Sequence, residues 1–77
     1  MDIYRRDELE KAWDLIDEAV SIIDSCKDDE EDAFYDLPDS LQQSEQGEQM
    51  QEFISLMESS SSNLCSAVDS IKEIIFA

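Results

Sequence analysis

The side chains of this sequence that could do chemistry are carboxylates, and the densest group of them is the acidic run at positions 28–32. Asp28, Glu30 and Asp32 alternate as the first ligands of an EF-hand calcium loop do. An EF-hand loop that starts there would need glycine at position 33 and glutamate at position 39, where the chain has Ala33 and Asp39. We therefore expect no cofactor and no metal site, beyond weak binding of divalent cations at the surface.

Other groups that enzymes use are scarce. The sequence has no histidine, so its serines lack the usual partner that activates a hydroxyl nucleophile, and Gly47 is its only glycine, too few for a phosphate-binding loop. The helical pattern places Cys26 in the core and Cys65 beside a dimer interface, too far apart along a hairpin for a disulfide. The sequence predicts a protein that is not an enzyme, with no catalytic residues.

The first element that carries these residues is a long amphipathic helix. Stepping 100° per residue, the apolar residues from Leu9 to Cys26 fall within an arc of about 180°, and those after the acidic run keep the same phase. This pattern predicts one helix over about residues 7–36. Asp7 is its expected N-cap, and Pro38 is expected to end it.

A second amphipathic helix is predicted over about residues 44–76, after a connector at 37–43, with Ser44 as its N-cap. Its apolar positions alternate in steps of four and three residues. The alternation continues through four consecutive serines, of which Ser60 and Ser61 are expected to face inward. The predicted seam comprises Met50, Ile54, Met57, Ser61, Leu64, Val68, Ile71 and Ile75.

These elements predict a single all-α domain over residues 1–77, an antiparallel helical hairpin. If the turn is centred near residue 40, paired residues have numbers that add to about 81. Each apolar arc is too wide for one partner helix, and so short a chain needs further burial, so we expect a homodimeric four-helix bundle. The predicted dimer interface comprises Trp13, Ile16, Val20, Ile23, Phe53, Met57, Leu64, Val68 and Ile71. A different helical protein is the alternative partner for these apolar faces.

The charge balance points to a basic partner. The sequence has twenty-one acidic residues and five basic ones, which gives a net charge of −16. Such a chain is repelled by nucleic acid and by anionic membranes and is attracted to basic protein surfaces. The N-terminal residues lack a secretory signal and no segment is apolar enough to span a membrane, so we expect a soluble, cytoplasmic protein.

The acidic charge is concentrated at the connector end of the predicted hairpin. With a hairpin of about 45 Å, one net charge falls every 2.8 Å or so, and every 1.4 Å or so in a dimer, compared with about 1.7 Å in duplex DNA. Tyr35 is an expected exposed hot spot among the carboxylates, or else it folds onto Leu41 to close the turn. The candidate partner-binding residues are Asp28, Asp29, Glu30, Glu31, Asp32, Tyr35, Asp36, Asp39, Glu45 and Glu48.

The segment around the connector carries a recognisable motif: an aromatic residue, then Leu-Pro-x-Ser-Leu-Gln, then Ser-Glu-x-Gly-Glu. The motif comprises Phe34, Leu37, Pro38, Ser40, Leu41, Gln42, Ser44, Glu45, Gly47 and Glu48. It resembles a family of short, acidic, mostly uncharacterised bacterial and phage proteins. The resemblance implies a mobile-element setting without an established activity. It also fits a structural role, in which Pro38 ends one helix, Ser44 caps the next and Gly47 lets Phe34 close over it.

Together these features predict a non-enzymatic inhibitor from a phage or mobile element. Its acidic rod is expected to occupy the basic groove of a nucleic-acid-binding host protein, such as a defence nuclease or a CRISPR effector, in place of DNA. The alternative is a structural or adaptor module that engages another helical protein through its apolar faces.

Overall fold

A computed structural model describes the whole chain, Met1 to Ala77, as two long antiparallel helices joined by a short helical turn. The helices are α1 (Ile3–Tyr35), α2 (Asp39–Gln42) and α3 (Glu45–Ile75). The Cα atoms fill a rod of 58 × 14 × 13 Å. The prediction of an all-helical hairpin is therefore confirmed.

The start of α1 differs from the prediction. The helix begins at Ile3, because the Asp2 carboxylate accepts a hydrogen bond of 2.9 Å from the backbone N–H of Arg5 and caps the first turn. Asp7 was predicted to be this cap, and that prediction is wrong, since Asp7 lies inside the helix. α1 then runs through the acidic run without a break and ends at Tyr35, shortly before Pro38.

The two long helices meet along one narrow seam. The predicted seam of α3 is confirmed: its eight residues are buried or half-buried, and Gly47 extends the same alternation. On α1 the corresponding residues are Leu9, Trp13, Ile16, Val20, Ile23, Lys27, Glu30 and Phe34. This repeat, with steps of three and four residues, is that of a coiled coil. Phe34, Val68 and Ile75 are the only large apolar side chains that become buried, so the core of the single chain is thin.

The register of the hairpin is shifted by one helical turn from the prediction. Asp24 contacts Ser61, Lys27 contacts Glu58, and the ammonium of Lys72 lies 4.8 Å above the Trp13 ring. The numbers in each pair add to 85, and the predicted value of about 81 is wrong. The reason is α2, which adds a helical turn to the connector and moves the centre of the reversal towards residue 42.

The connector is held by side-chain bonds to the backbone. The Gln42 amide donates to the carbonyl oxygen of Leu37 at 2.9 Å, which satisfies an acceptor beyond the C-terminus of α1. The Ser44 hydroxyl donates to the carbonyl of Leu41 and accepts from the N–H of Gly47 at 3.4 Å, so its predicted role as N-cap is confirmed. Gly47 packs against the carbonyls of Leu41 and Gln42. The connector backbone thus takes up the space beside Gly47, and the expected packing of Phe34 over this residue stays a prediction.

The four serines are a continuous part of α3, but only one of them faces inward. Ser61 is buried, and its hydroxyl donates to the Asp24 carboxylate of α1 at 2.7 Å. Ser60 is exposed and donates to the carbonyl of Leu56, four residues earlier, at 2.8 Å. The prediction for Ser60 is wrong in the single chain, because residue 60 lies on a flank of the seam.

Opposite effects on stability are expected when these two serines are replaced. Ser60→Ala should stabilise the hairpin by about 0.5 kcal/mol, because alanine is the better helix former. Ser61→Ala should destabilise it by about 1 kcal/mol, because loss of a hydrogen bond to a carboxylate exceeds the gain in helix propensity. Urea unfolding followed by circular dichroism measures both changes. If Ser61→Ala stabilises the protein as Ser60→Ala does, the bond to Asp24 contributes nothing.

Candidate protein-binding surface

The candidate partner-binding residues lie together at the connector end of the rod, and we call them the turn-end cluster. Asp28 to Asp32 and Tyr35 lie on the last turns of α1, Asp36 is its C-cap, Asp39 begins α2, and Glu45 and Glu48 lie in the first turn of α3. Glu30, in the seam, and Glu31, beside it, are half-buried, and the other eight residues are exposed. The cluster surrounds the end of the hairpin on several sides.

The carboxylates of the turn-end cluster have no cationic partner. The chain contains three ion pairs, Arg5–Asp2, Lys11–Glu8 and Lys27–Glu58, and none of them includes a residue of the cluster. The last turn of α1 also has no basic residue, so the negative end of that helix dipole adds to the same field. The strongest negative potential of the molecule is therefore expected at the turn end.

The opposite end of the rod carries most of the basic side chains. Lys11 donates a hydrogen bond of 2.9 Å to Glu8, which raises the pKa of this lysine above its ordinary value, with further charge attraction from Glu8. Both side chains are solvent-exposed, so this pair has little effect on stability. Its effect on the field is local: it partly offsets the acidic charge far from the turn end.

Tyr35 is presented to solvent beside a shallow groove between α1 and α3. Its side chain is 73% exposed, so it does not close the turn against Leu41, and its ring meets the Phe34 ring edge-on at 5.4 Å. The groove encloses about 280 Å³. Its lining combines apolar, amide, hydroxyl and carboxylate groups: Glu31, Phe34, Tyr35, Gln51, Ile54, Ser55 and Glu58. An apolar floor between two carboxylates suits the stem and cationic head of an arginine or lysine side chain.

The sequence did not single out the part of this groove that α3 contributes. Gln51, Ser55 and Glu58 face Glu31 and Tyr35 only in the observed register, which α2 shifts by one turn from the predicted one. The signal in the sequence was the opposite charge of Lys27 and Glu58, whose side chains come within 3.9 Å across the hairpin. In the predicted register, in which paired numbers add to about 81, these two side chains would lie one helical turn apart.

The predicted dimer-interface residues fall mainly inside the hairpin. Phe53 is exposed on α3. The other eight line the seam between α1 and α3, where they are buried or half-buried: Trp13, Ile16, Val20, Ile23, Met57, Leu64, Val68 and Ile71. These side chains already pack against the other helix of the same chain. Cys26, predicted to be a core residue, is exposed in the single chain, as is Cys65.

The structure places no group of three or more His, Cys, Asp or Glu side chains close enough to hold a metal ion. None of its helices combines the length and apolar character needed to cross a bilayer. Comparisons with protein-family models, with curated proteins and with solved structures found no match to this chain.

Proposed function

We propose that this protein is a non-enzymatic acidic binding protein that occupies the basic groove of a nucleic-acid-binding protein and so excludes DNA. The proposal includes a cytoplasmic setting and an origin in a phage or mobile element, with a host defence nuclease or CRISPR effector as the target class. The resemblance of the connector motif to short acidic bacterial and phage proteins supports the origin in a phage or mobile element. The observation that carries the binding role is that none of the nine carboxylates in the turn-end cluster has a cationic partner.

The length of the rod supports mimicry of a nucleic acid. A net charge of −16 along 58 Å gives one charge per roughly 3.6 Å, close to the spacing of about 3.4 Å along one strand of DNA. Two copies side by side, as in the proposed four-helix bundle, give one charge per roughly 1.8 Å, close to about 1.7 Å for the duplex. These charge spacings are wider than those expected from the sequence, because the rod is longer than the predicted hairpin. It is longer because α1 begins earlier and the register is shifted.

The groove beside Tyr35 supports a protein partner for the turn-end cluster. DNA-binding grooves are rich in arginine and lysine, and an exposed aromatic ring beside carboxylates can stack on a guanidinium group. Tyr35, Glu31 and Glu58 offer this combination within one groove. Direct binding to DNA or RNA is not part of the proposal, because the net charge repels phosphates.

A second candidate function, an adaptor for another helical protein, has one observation in its favour. Large apolar side chains are exposed outside the seam, with Leu15 and Ile22 each 65% exposed on α1 and Leu56 56% exposed on α3. An adaptor would use this surface, and neutralising the turn-end carboxylates would leave its binding intact.

Displacement from immobilised DNA tests the proposed function. Proteins of a bacterial lysate are loaded on double-stranded DNA cellulose, and the column is washed with the purified chain or with polyglutamate of equal charge concentration. We expect the chain to release a small set of proteins that polyglutamate does not release, because the rod presents its charges in a fixed arrangement. Release of nothing, or of the same proteins that polyglutamate releases, would contradict the proposal.

A further inference from the structure

One side of the hairpin exposes large apolar residues and carries no charge over most of its length. The hydrogen bond from Ser61 to Asp24 identifies one flank of the seam, and the heptad phase places Leu15 and Ile22 on the opposite flank. Since α1 and α3 are antiparallel with their seams facing, equivalent flanks of both helices lie on the same side. We call this side the uncharged face, and its large or central residues are Leu15, Ile22, Phe53, Leu56, Ala67 and Ile74.

The charge on this face is limited to its two ends. On α1 the nearest charged residues of this flank are Glu8 at the open end and Asp29 at the turn end, and α3 has no charged residue on its flank. The acidic side chains of α1 instead lie on the other flank and on the outer surface, as Asp17 and Asp24 do. A chain of net charge −16 thus keeps one face on which two copies can meet without bringing carboxylates together.

The shape of the uncharged face suits a second copy of itself. Ala12, Ala19 and Cys26 recur every seven residues beside Leu15 and Ile22, so small side chains alternate with large ones along α1. In a symmetric dimer each copy presents the same surface, and large residues of one copy can enter the spaces beside small residues of the other. A basic partner, by contrast, would be drawn to the acidic surfaces and not to this one.

The area available is near the lower limit for a specific interface. From Phe53 to Ile74 the face is about 33 Å long at 1.5 Å per residue. With a width of 14 Å, two copies would cover roughly 900 Å² as a flat projection, before the relief of the side chains is counted, against a threshold of about 1,000 Å². The thin core of the single chain also favours dimerisation, because a short chain needs further apolar burial to be stable.

We propose that the uncharged face is the interface between two copies of this chain, which pair face to face into a four-helix bundle. The interface is thereby assigned to Leu15, Ile22, Phe53, Leu56 and Ile74, and not to the seam residues predicted from the sequence. This inference deepens the proposed function. It rests on that function in one respect only: the doubled charge density of the bundle matters if the protein mimics duplex DNA. Pairing through the uncharged face leaves the acidic flank and outer surface of each copy open to partners.

Adjacent substitutions on α1 test this assignment. Ile22→Glu adds a charge to the uncharged face, and Ser21→Glu adds the same charge one residue away, at an exposed position on the other flank. Sedimentation equilibrium should give twice the chain mass of 8.8 kDa for the wild type and for Ser21→Glu. Ile22→Glu should weaken dimerisation at least a hundredfold, because it would bury an unpaired carboxylate in an apolar interface. A monomeric wild type, or a dimer unaffected by Ile22→Glu, would overturn the proposal.

The two cysteines report independently on the same dimer. Cys26 borders Ile22 on the uncharged face, while Cys65 lies on the other flank of α3, and both are exposed in the single chain. In the Cys65→Ser variant the remaining thiol should become resistant to Ellman's reagent as protein concentration rises. In Cys26→Ser it should stay reactive. Protection of neither thiol, or of Cys65 alone, would overturn the assignment.

Salt separates a failure of this inference from a failure of the proposed function. Dimerisation should strengthen with added NaCl, because screening reduces repulsion between two highly acidic chains. Binding to a basic partner should weaken in the same titration. The chain could therefore dimerise through the uncharged face without displacing any protein from DNA, or displace proteins as a monomer, and each result would contradict one proposal only.

Discussion

Gly47→Ala is expected to lower the melting temperature of the protein by about 12 °C or more. A Cβ atom at this position would lie 2.1 Å from the carbonyl oxygen of Gln42 and 2.7 Å from that of Leu41. Both are backbone atoms of the connector, so no side chain can rotate away. The overlap should cost about 3 kcal/mol or more, and each kcal/mol corresponds to about 4–8 °C in a domain of this size.

The sign of this change is informative, because helix propensity predicts the opposite. Alanine is normally the better residue inside a helix, by up to about 1 kcal/mol. Gln46→Ala is a matched control, since residue 46 is exposed in the same helical turn, and it should leave the melting temperature nearly unchanged. Thermal unfolding is compared at one fixed protein concentration, because dimerisation affects the midpoint. A Gly47→Ala protein as stable as the control would show that α2 does not pack on α3 as described.

The sequence allowed the helices and their seam to be predicted, because both depend on local periodicity. The alternation of four and three from Met50 to Ile75 identified every α3 residue of the seam after Gly47, including Ser61 among polar neighbours. The helix start was missed because Asp2 and Asp7 are both acceptable caps, and periodicity does not distinguish between them. Asp2 is followed by residues that can all be helical, so the helix extends to it.

The register was not predictable by the same means. Periodicity fixes which residues face a partner but not where two helices meet along their length, and that position was set by one turn of helix within the connector. The groove beside Tyr35 and the bond between Ser61 and Asp24 both follow from this register. The width of the apolar arcs did indicate apolar surface beyond the seam, which is exposed at Leu15, Ile22 and Leu56, but the sequence did not divide each arc into the residues of the seam and those outside it.

Neutralising four carboxylates near the end of α1 should have the largest effect on partner binding. The quadruple variant replaces Asp28, Asp29, Asp32 and Asp36 with asparagine, and all four side chains are exposed. If each contact with a basic groove contributes about 0.5 kcal/mol, affinity for a protein released from DNA cellulose should fall about thirtyfold. The variant should unfold at no lower temperature than the wild type, because carboxylates near a helix C-terminus oppose the dipole.

A matched variant separates the position of the charges from their number. Glu10, Asp14, Asp17 and Glu18 are also exposed on α1, but lie towards its other end. Replacing them with the corresponding amides gives the same net charge of −12 as the turn-end variant, because four negative charges are removed from the −16 of the wild type. Isothermal titration calorimetry should show less than about a threefold loss of affinity for this control, since its charges lie outside the turn-end cluster. Equal losses in both variants would show that only net charge matters.

Competition between the chain and DNA for one binding surface tests whether the acidic rod occupies a DNA-binding groove. A fluorescent DNA duplex is saturated with a purified protein that the chain releases from DNA cellulose, and the anisotropy of the duplex is followed as the chain is added. If the acidic rod occupies the DNA-binding groove, the anisotropy should fall to the value of free DNA, with an inhibition constant that matches the directly measured Kd. An anisotropy that stays constant or rises at a saturating concentration of the chain would show that both ligands bind at once, and would contradict occupation of the DNA-binding groove.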